Sequence, residues 1–154
     1  MKTTKIMIGI MVAFMFVFFS GTVIAQTRAE AHANLTTHHQ AIMKHANALA
    51  SGEVKSLNDK ITHGNEARKS LAEAKKAHSQ LKKLLPEKAR SVAIVHHDNI
   101  DKHHANATIH ANAILAELRN PSPDDAKLRE LGKKLSEATD LAEKEHQSLV
   151  KDTK

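Results

Sequence analysis

Apolar positions recur at alternating steps of four and three through Ala67, Leu71, Ala74, His78, Leu81 and Leu85, with polar residues between them. That rhythm puts all of them on one side of an α-helix, as a seam to be buried. The same steps return in Leu128, Leu131, Leu135, Ala138 and Ala142, with Leu149 farther along. Nearer the start, Leu35, Ile42 and Leu49 repeat every turn-pair, as do Ala93, Ile100, Ala107 and Ile114. Breakers fall at Ser51-Gly52, at Pro86 and at Asn120-Pro121-Ser122-Pro123, and the segments between them are rich in Ala, Leu, Lys and Glu. These are strong helix formers, whereas Gly and Pro punctuate. The pattern predicts helices near 28–50, 54–84, 87–119 and 124–151 joined by short turns, an all-α antiparallel four-helix bundle.

The first and third segments are near copies. A shift of 65 residues (97 minus 32) lays His32, His38, His39 and His45 on His97, His103, His104 and His110. A shift of 68 (146 minus 78) lays the stretch 74–81, containing His78, on 142–149, containing His146, and the longer Asn-Pro-Ser-Pro connection accounts for the difference. The bundle therefore reads as a duplicated two-helix hairpin, because one hairpin of this composition buries too little surface to stand alone.

Residues 1–25 follow another pattern: Lys2 and Lys5, then the apolar run from Ile6 to Phe19, then Val23-Ile24-Ala25. This is the order of a secretory signal peptide, expected to be cleaved between Ala25 and Gln26 and to direct the chain to the periplasm. The remaining 129 residues (154 minus 25) make one His-rich domain, 26–154. It has no aromatic residue, since Phe14, Phe16, Phe18 and Phe19 all lie in the leader, and its formal charge is +4 (21 basic minus 17 acidic) instead of +6. A mild, dispersed charge without stacking side chains argues against nucleic acid as a partner, and no stable membrane association is expected after cleavage. The absence of cysteine excludes disulfides, thiolate metal sites and covalently attached haem.

What the composition offers instead is 12 histidines. With Leu35, Ile42 and Leu49 at heptad position a, His38 and His45 fall at d and His32 and His39 at e; in the copy, His96, His103 and His110 take d while His97 and His104 take e. Position d normally carries leucine, so a d row of histidine lines up something polar along the bundle. Seven residues rise about 10.5 Å and adjacent residues diverge by about 100°, so no two of these rings can share an ion on one regular helix. Any site must be assembled between helices. Folding the hairpins back gives three layers: His32, His78, His96 or His97, and His146; then His38, His39, His103 and His104 with Asp140 opposite; then His45, His63 and His110. Glu66, Glu143 and Asp101 stand one helical turn from histidines, as further ligands or as groups that fix a ring tautomer. A lone histidine such as His63 or His146 is more often structural; the register across the duplication is what points to ligation.

Neutral imidazole suits copper(II), nickel(II) and zinc(II), with copper(II) first in the affinity order. A di-iron bundle needs two Glu-x-x-His motifs, and only Glu143-Lys144-Glu145-His146 fits; Met43 is the sole methionine after the leader, which leaves haem ligation poorly served. There is no nucleophile elbow, no His-Glu-x-x-His and no phosphate-cradling glycine loop, so a binder rather than an enzyme is expected. The runs Ala31-His32-Ala33-Asn34, Lys44-His45-Ala46-Asn47-Ala48 and Ile109-His110-Ala111-Asn112-Ala113, in an exported, cysteine-free helical chain, resemble the small metal-binding proteins of the bacterial periplasm. The resemblance implies His-rich helical repeats that bind divalent metals, copper(II) above all, to buffer or scavenge them. It implies His32, His38, His39, His45, His96, His97, His103, His104 and His110 as ligands; His63, His78 and His146 join them from the layering. The sites can form within one chain or across a homodimer. Ligation by imidazole is expected to weaken below about pH 6. The alternative is a metal-independent periplasmic bundle with a structural or acid-sensing role.

Overall fold

The computed structural model describes residues 27–85 and 87–153; the leader expected over residues 1–25 lies outside them. The described residues form four helices, α1 (Arg28–Ser51), α2 (Leu57–Lys83), α3 (Arg90–Leu118) and α4 (Asp125–Asp152), with a single 3₁₀ turn over Glu87–Ala89 and no strand. Each start has a local cause. Thr27 and Glu30 form a capping box, the Thr27 Oγ1 accepting from the Glu30 amide at 3.2 Å and the Thr27 amide donating to Glu30 Oε2 at 2.8 Å. Ser56 accepts from the Asp59 amide at 3.0 Å, which is why α2 begins later than the apolar pattern suggests. Asp124 accepts from the amides of Ala126 and Lys127 at 2.8 and 3.1 Å. At the other end of α1, Gly52 closes the helix with φ 69°, a left-handed conformation that glycine adopts without strain.

Each helix packs on two neighbours: α1 on α2 and α4, and α3 on α4 and α2. Adjacent helices run antiparallel, as Arg28 at the start of α1 shows by donating to the Thr153 carbonyl, just past the end of α4, at 3.1 Å. The core is built from Leu35, Ile42, Leu71, Leu81, Ile100, Ile114, Leu128, Leu135 and Leu149, all 3% exposed or less. Each such side chain contributes roughly 1.5–3 kcal/mol when removed from water. Between them Ala31, Ala46, Ala67, Ala74, Ala93, Ala107 and Ala142 are fully buried, so the helices approach closely and leave room for rings at intervals.

Two glycines show how the duplicated hairpins meet. Gly64 and Gly132 are 68 residues apart (132 minus 64), the same offset that relates His78 to His146. A Cβ on Gly132 would stand 2.7 Å from the Ala46 carbonyl and 3.0 Å from the Ala50 nitrogen, both in α1; one on Gly64 would meet the side chains of Leu118, Leu115 and Ile114 of α3 at 3.0–3.3 Å. The α2–α3 contact thus repeats the α4–α1 contact, and a pseudo-twofold axis relates the two halves.

Candidate metal centre

The helices turn the histidines differently from the expected register. On α1 the buried residues are Ala31, Leu35, His39, Ile42, Ala46 and Leu49; on α3 they include Ala93, His97, Ile100, His104, Ala107, Ala111 and Ile114. Beyond the first turn of α1, where Ala31 at d is buried and His32 at e is half-buried, the core row is a and e rather than a and d, while His38, His45, His96, His103 and His110 lie at its half-buried flank. The physical reason is legible in α3. Burying row d would desolvate His96, His103 and His110, whereas row e carries His97, His104 and then Ala111, fewer polar groups to bury.

A chain of imidazoles crosses the core. His32 Nδ1 lies 2.7 Å from His146 Nε2, and His146 Nδ1 lies 3.4 Å from Glu143 Oε2. That same carboxylate oxygen is 2.7 Å from His39 Nδ1, and His39 Nε2 is 2.8 Å from His104 Nε2. The His104 ring packs edge-on against His78 with centroids 5.6 Å apart. His78 Nδ1 is 3.1 Å from Asp101 Oδ1 and its Nε2 is 2.7 Å from His97 Nδ1. Two groups have their donor atoms within 4.8 Å of one another: His39, Glu143 and His146, and His78, Asp101 and His104. Two nitrogens each about 2.0 Å from one ion stand about 2.8 Å apart at a right angle and about 3.3 Å apart at a tetrahedral angle. With donors within 4.8 Å, each set could hold a divalent ion once its side chains close around it.

The duplication organises the chain of contacts atom by atom. It pairs His32 with His97, His39 with His104 and His146 with His78, and the contact of His32 Nδ1 with His146 Nε2 recurs as His97 Nδ1 with His78 Nε2, each 2.7 Å. The His39–His104 contact joins a residue to its own copy, so it sits on the pseudo-axis. The carboxylates break the symmetry. Where Glu143 stands in one half the copy has Lys75 (143 minus 68), and where Asp101 stands the copy has Thr36 (101 minus 65). Thr36 Oγ1 donates to Glu143 Oε1 at 3.1 Å. Each cluster thus carries one carboxylate, and both come from the second hairpin, Asp101 from α3 and Glu143 from α4.

Burial sets the protonation of these rings. Desolvation, reinforced by neighbouring positive charge, lowers the pKa of His32 and His97 from 6.5 to about 4. Burial lowers His78 to about 4 against the opposing pull of Asp101, and lowers His104 to about 3 with His39 and His78 adding to the effect. These rings are neutral at pH 7, the form that ligates. Burial would raise Glu143, but hydrogen bonds from His146, His39 and Gln147 outweigh it and hold the carboxyl well below its usual range, hence ionised. Two ring nitrogens, His97 Nε2 and His104 Nδ1, are buried without a hydrogen-bond partner. Leaving such atoms unpaired costs about 1–3 kcal/mol each, and both belong to the half that holds Asp101.

The remaining histidines are placed apart from these clusters. His45 Nδ1 and His63 Nδ1 form a separate α1–α2 pair at 2.9 Å, and burial lowers the pKa of His45. Among the described residues no hydrogen bond joins Glu66 to His63, and none joins His38, His103 or His110 to another side chain. Asp140 pairs with Lys144 at 2.6 Å instead of facing the middle layer. His96 has its Nδ1 2.9 Å from Glu145 Oε2 and its Nε2 3.1 Å from Asp152 Oδ2. Hydrogen bonds to these acids raise its pKa, so His96 serves as a cationic clamp between α3 and α4, and the end layer takes His97. Sequence reasoning missed Glu145, Asp152 and Thr36. Glu145 and Asp152 are one heptad apart on α4, a signal that was visible but lacked the facing residue.

Fold and site together define a histidine-rich four-helix bundle with two histidine–carboxylate clusters, one fully buried and one whose carboxylate, Asp101, is exposed. Comparisons with protein-family models, curated proteins and solved structures find no significant match.

Proposed function

We propose that the chain is an exported divalent-metal binder that buffers, scavenges or stores transition ions and performs no catalysis. The observation that carries this reading is the pair of clusters, His39, Glu143 and His146, all buried, and then His78 and His104, buried, with the exposed Asp101, whose donors already lie within 4.8 Å of one another. The lowered pKa values of His78 and His104 keep those two rings neutral, and the unpartnered His104 Nδ1 and His97 Nε2 are nitrogens that an ion would satisfy. His32 and His97 flank the clusters, and the His45–His63 pair is a weaker third location. Mixed imidazole and carboxylate donors suit copper(II), zinc(II) and nickel(II), and the affinity order favours copper(II). The periplasmic assignment rests on the residue order in 1–25.

Isothermal titration of the chain lacking residues 1–25 with each of the three ions at pH 7.5 tests the reading. The expected result is tight uptake that disappears at pH 4, where His32, His78 and His97 are about half protonated. At a free ion concentration 100 times Kd, stability should rise by about 2.7 kcal/mol. Uptake no greater than that of a scrambled peptide with the same histidines would refute metal binding. In that case the buried rings would define a metal-independent, acid-responsive bundle.

A further inference from the structure

The contact on the pseudo-axis couples the two clusters. His39 and His104 present the same atom, Nε2, to each other at 2.8 Å in a site where both rings are 1% exposed or less. A hydrogen bond of this kind has room for one proton. If His39 Nε2 carries it, His104 Nε2 accepts and the His104 proton sits on Nδ1; if His104 Nε2 carries it, the His39 proton sits on Nδ1. Two neutral rings related by the pseudo-axis therefore cannot share one tautomer. The surroundings select between the two arrangements. The Glu143 carboxylate, 2.7 Å from His39 Nδ1, accepts a proton there, whereas His104 Nδ1 has no partner, which costs less for a bare lone pair than for a buried N–H. In the metal-free chain His39 is thus protonated on Nδ1 and His104 on Nε2.

Resting on the metal-binding reading above, we propose that this hydrogen bond makes the clusters antagonistic, so that an ion held by one weakens binding at the other. The nitrogen that His39 turns to its cluster is Nδ1, and the one His104 has free for its own is also Nδ1. An ion on His104 Nδ1 leaves the resting tautomers unchanged. An ion on His39 Nδ1 moves that ring's proton to Nε2 and shifts the His104 proton to Nδ1, with no net exchange with solvent. When both clusters are loaded, both Nε2 atoms carry protons and face each other at hydrogen-bond distance, so the contact must open inside the core. Loading is then sequential, with one tight and one weak equivalent. This gives a pseudo-symmetric protein two affinities in place of one.

The test is a zinc(II) titration of the wild-type chain and of two single-cluster variants. His146→Gln removes a ligand from one cluster without touching the His39–His104 contact, and Asp101→Asn does the same for the other at a half-exposed carboxylate. The expected result is that the product of the two stepwise wild-type constants falls at least about tenfold below the product of the two single-cluster constants, about 1.4 kcal/mol. A product that matches overturns the coupling while leaving metal binding intact; absence of uptake in all three chains overturns both. Because either variant can fail to fold, ¹⁵N spectra of the wild-type histidines provide a second reading. His39 and His104 should show opposite tautomers in the metal-free chain and at one zinc equivalent, and protons on both Nε2 atoms at one equivalent would refute the coupling.

Discussion

Acid should unfold the metal-free chain well above the pH at which its carboxylates protonate, and the buried imidazoles set the size of the effect. His97 is 5% exposed and its pKa falls from 6.5 to about 4 on folding. Above pH 6.5 the ring is neutral in both states and the native chain has its full stability. Between 6.5 and about 4 the unfolded chain takes up a proton that the folded ring refuses, so stability declines as pH falls. At about 1.4 kcal/mol per tenfold change, this one ring removes about 2 kcal/mol by pH 5 and about 3 kcal/mol by pH 4. Small domains have only about 5–15 kcal/mol in total, and His78 and His104 act in the same direction. The assay is urea denaturation followed by far-ultraviolet circular dichroism at pH 7.5, 6, 5 and 4.5 with chelator present. With a slope near 2 kcal/mol per molar urea, the midpoint should drop by about 1 M or more between pH 7.5 and 5. His97→Leu should lose less over the same range. A wild-type midpoint equal at pH 7.5 and 5 would show that these rings are not desolvated, and the reasoning would fail.

The clamp at His96 predicts the opposite pH dependence. Its pKa is raised by Glu145 and Asp152, so its stabilisation is fully present below 6.5 and is lost as pH rises through the raised value. In thermal melts, His96→Gln should lower stability at pH 5.5 and have little effect at pH 9. The two packing glycines should part company as well. Gly132→Ala drives a methyl against backbone atoms of α1 at 2.7 and 3.0 Å and should cost roughly 1–3 kcal/mol. Gly64→Ala meets only side-chain ends, and the gain in helix propensity of about 1 kcal/mol should leave it near neutral. Equal melting temperatures for the two variants would contradict the assigned contacts.

Much of the architecture was legible along the chain because helix periodicity and breakers are local. The seam on α2, including His78, lies where the four-three spacing put it, and the shift of 65 correctly matched His39 with His104. The seam phase on α1 and α3 was not legible. Rows d and e both flank a at helical spacing, and which one is buried depends on what the neighbouring helices present. Asp101 illustrates the same limit: it stands one turn from both His97 and His104, yet its closest imidazole is His78 on another helix.

The amino-acid order alone determined that the described residues form four helices, that the hairpin is used twice, and that histidine is the chemistry on offer, because each of these follows from spacing within a segment. Tertiary structure decided which histidines meet. Only packing across four helices brought His32, His39, His78, His97, His104 and His146 together with one carboxylate in each cluster, left His96 to two acids, and left His38, His103 and His110 at the flank. Desolvation and tautomer choice depend on what surrounds a ring in three dimensions, and no spacing along one helix contains that information.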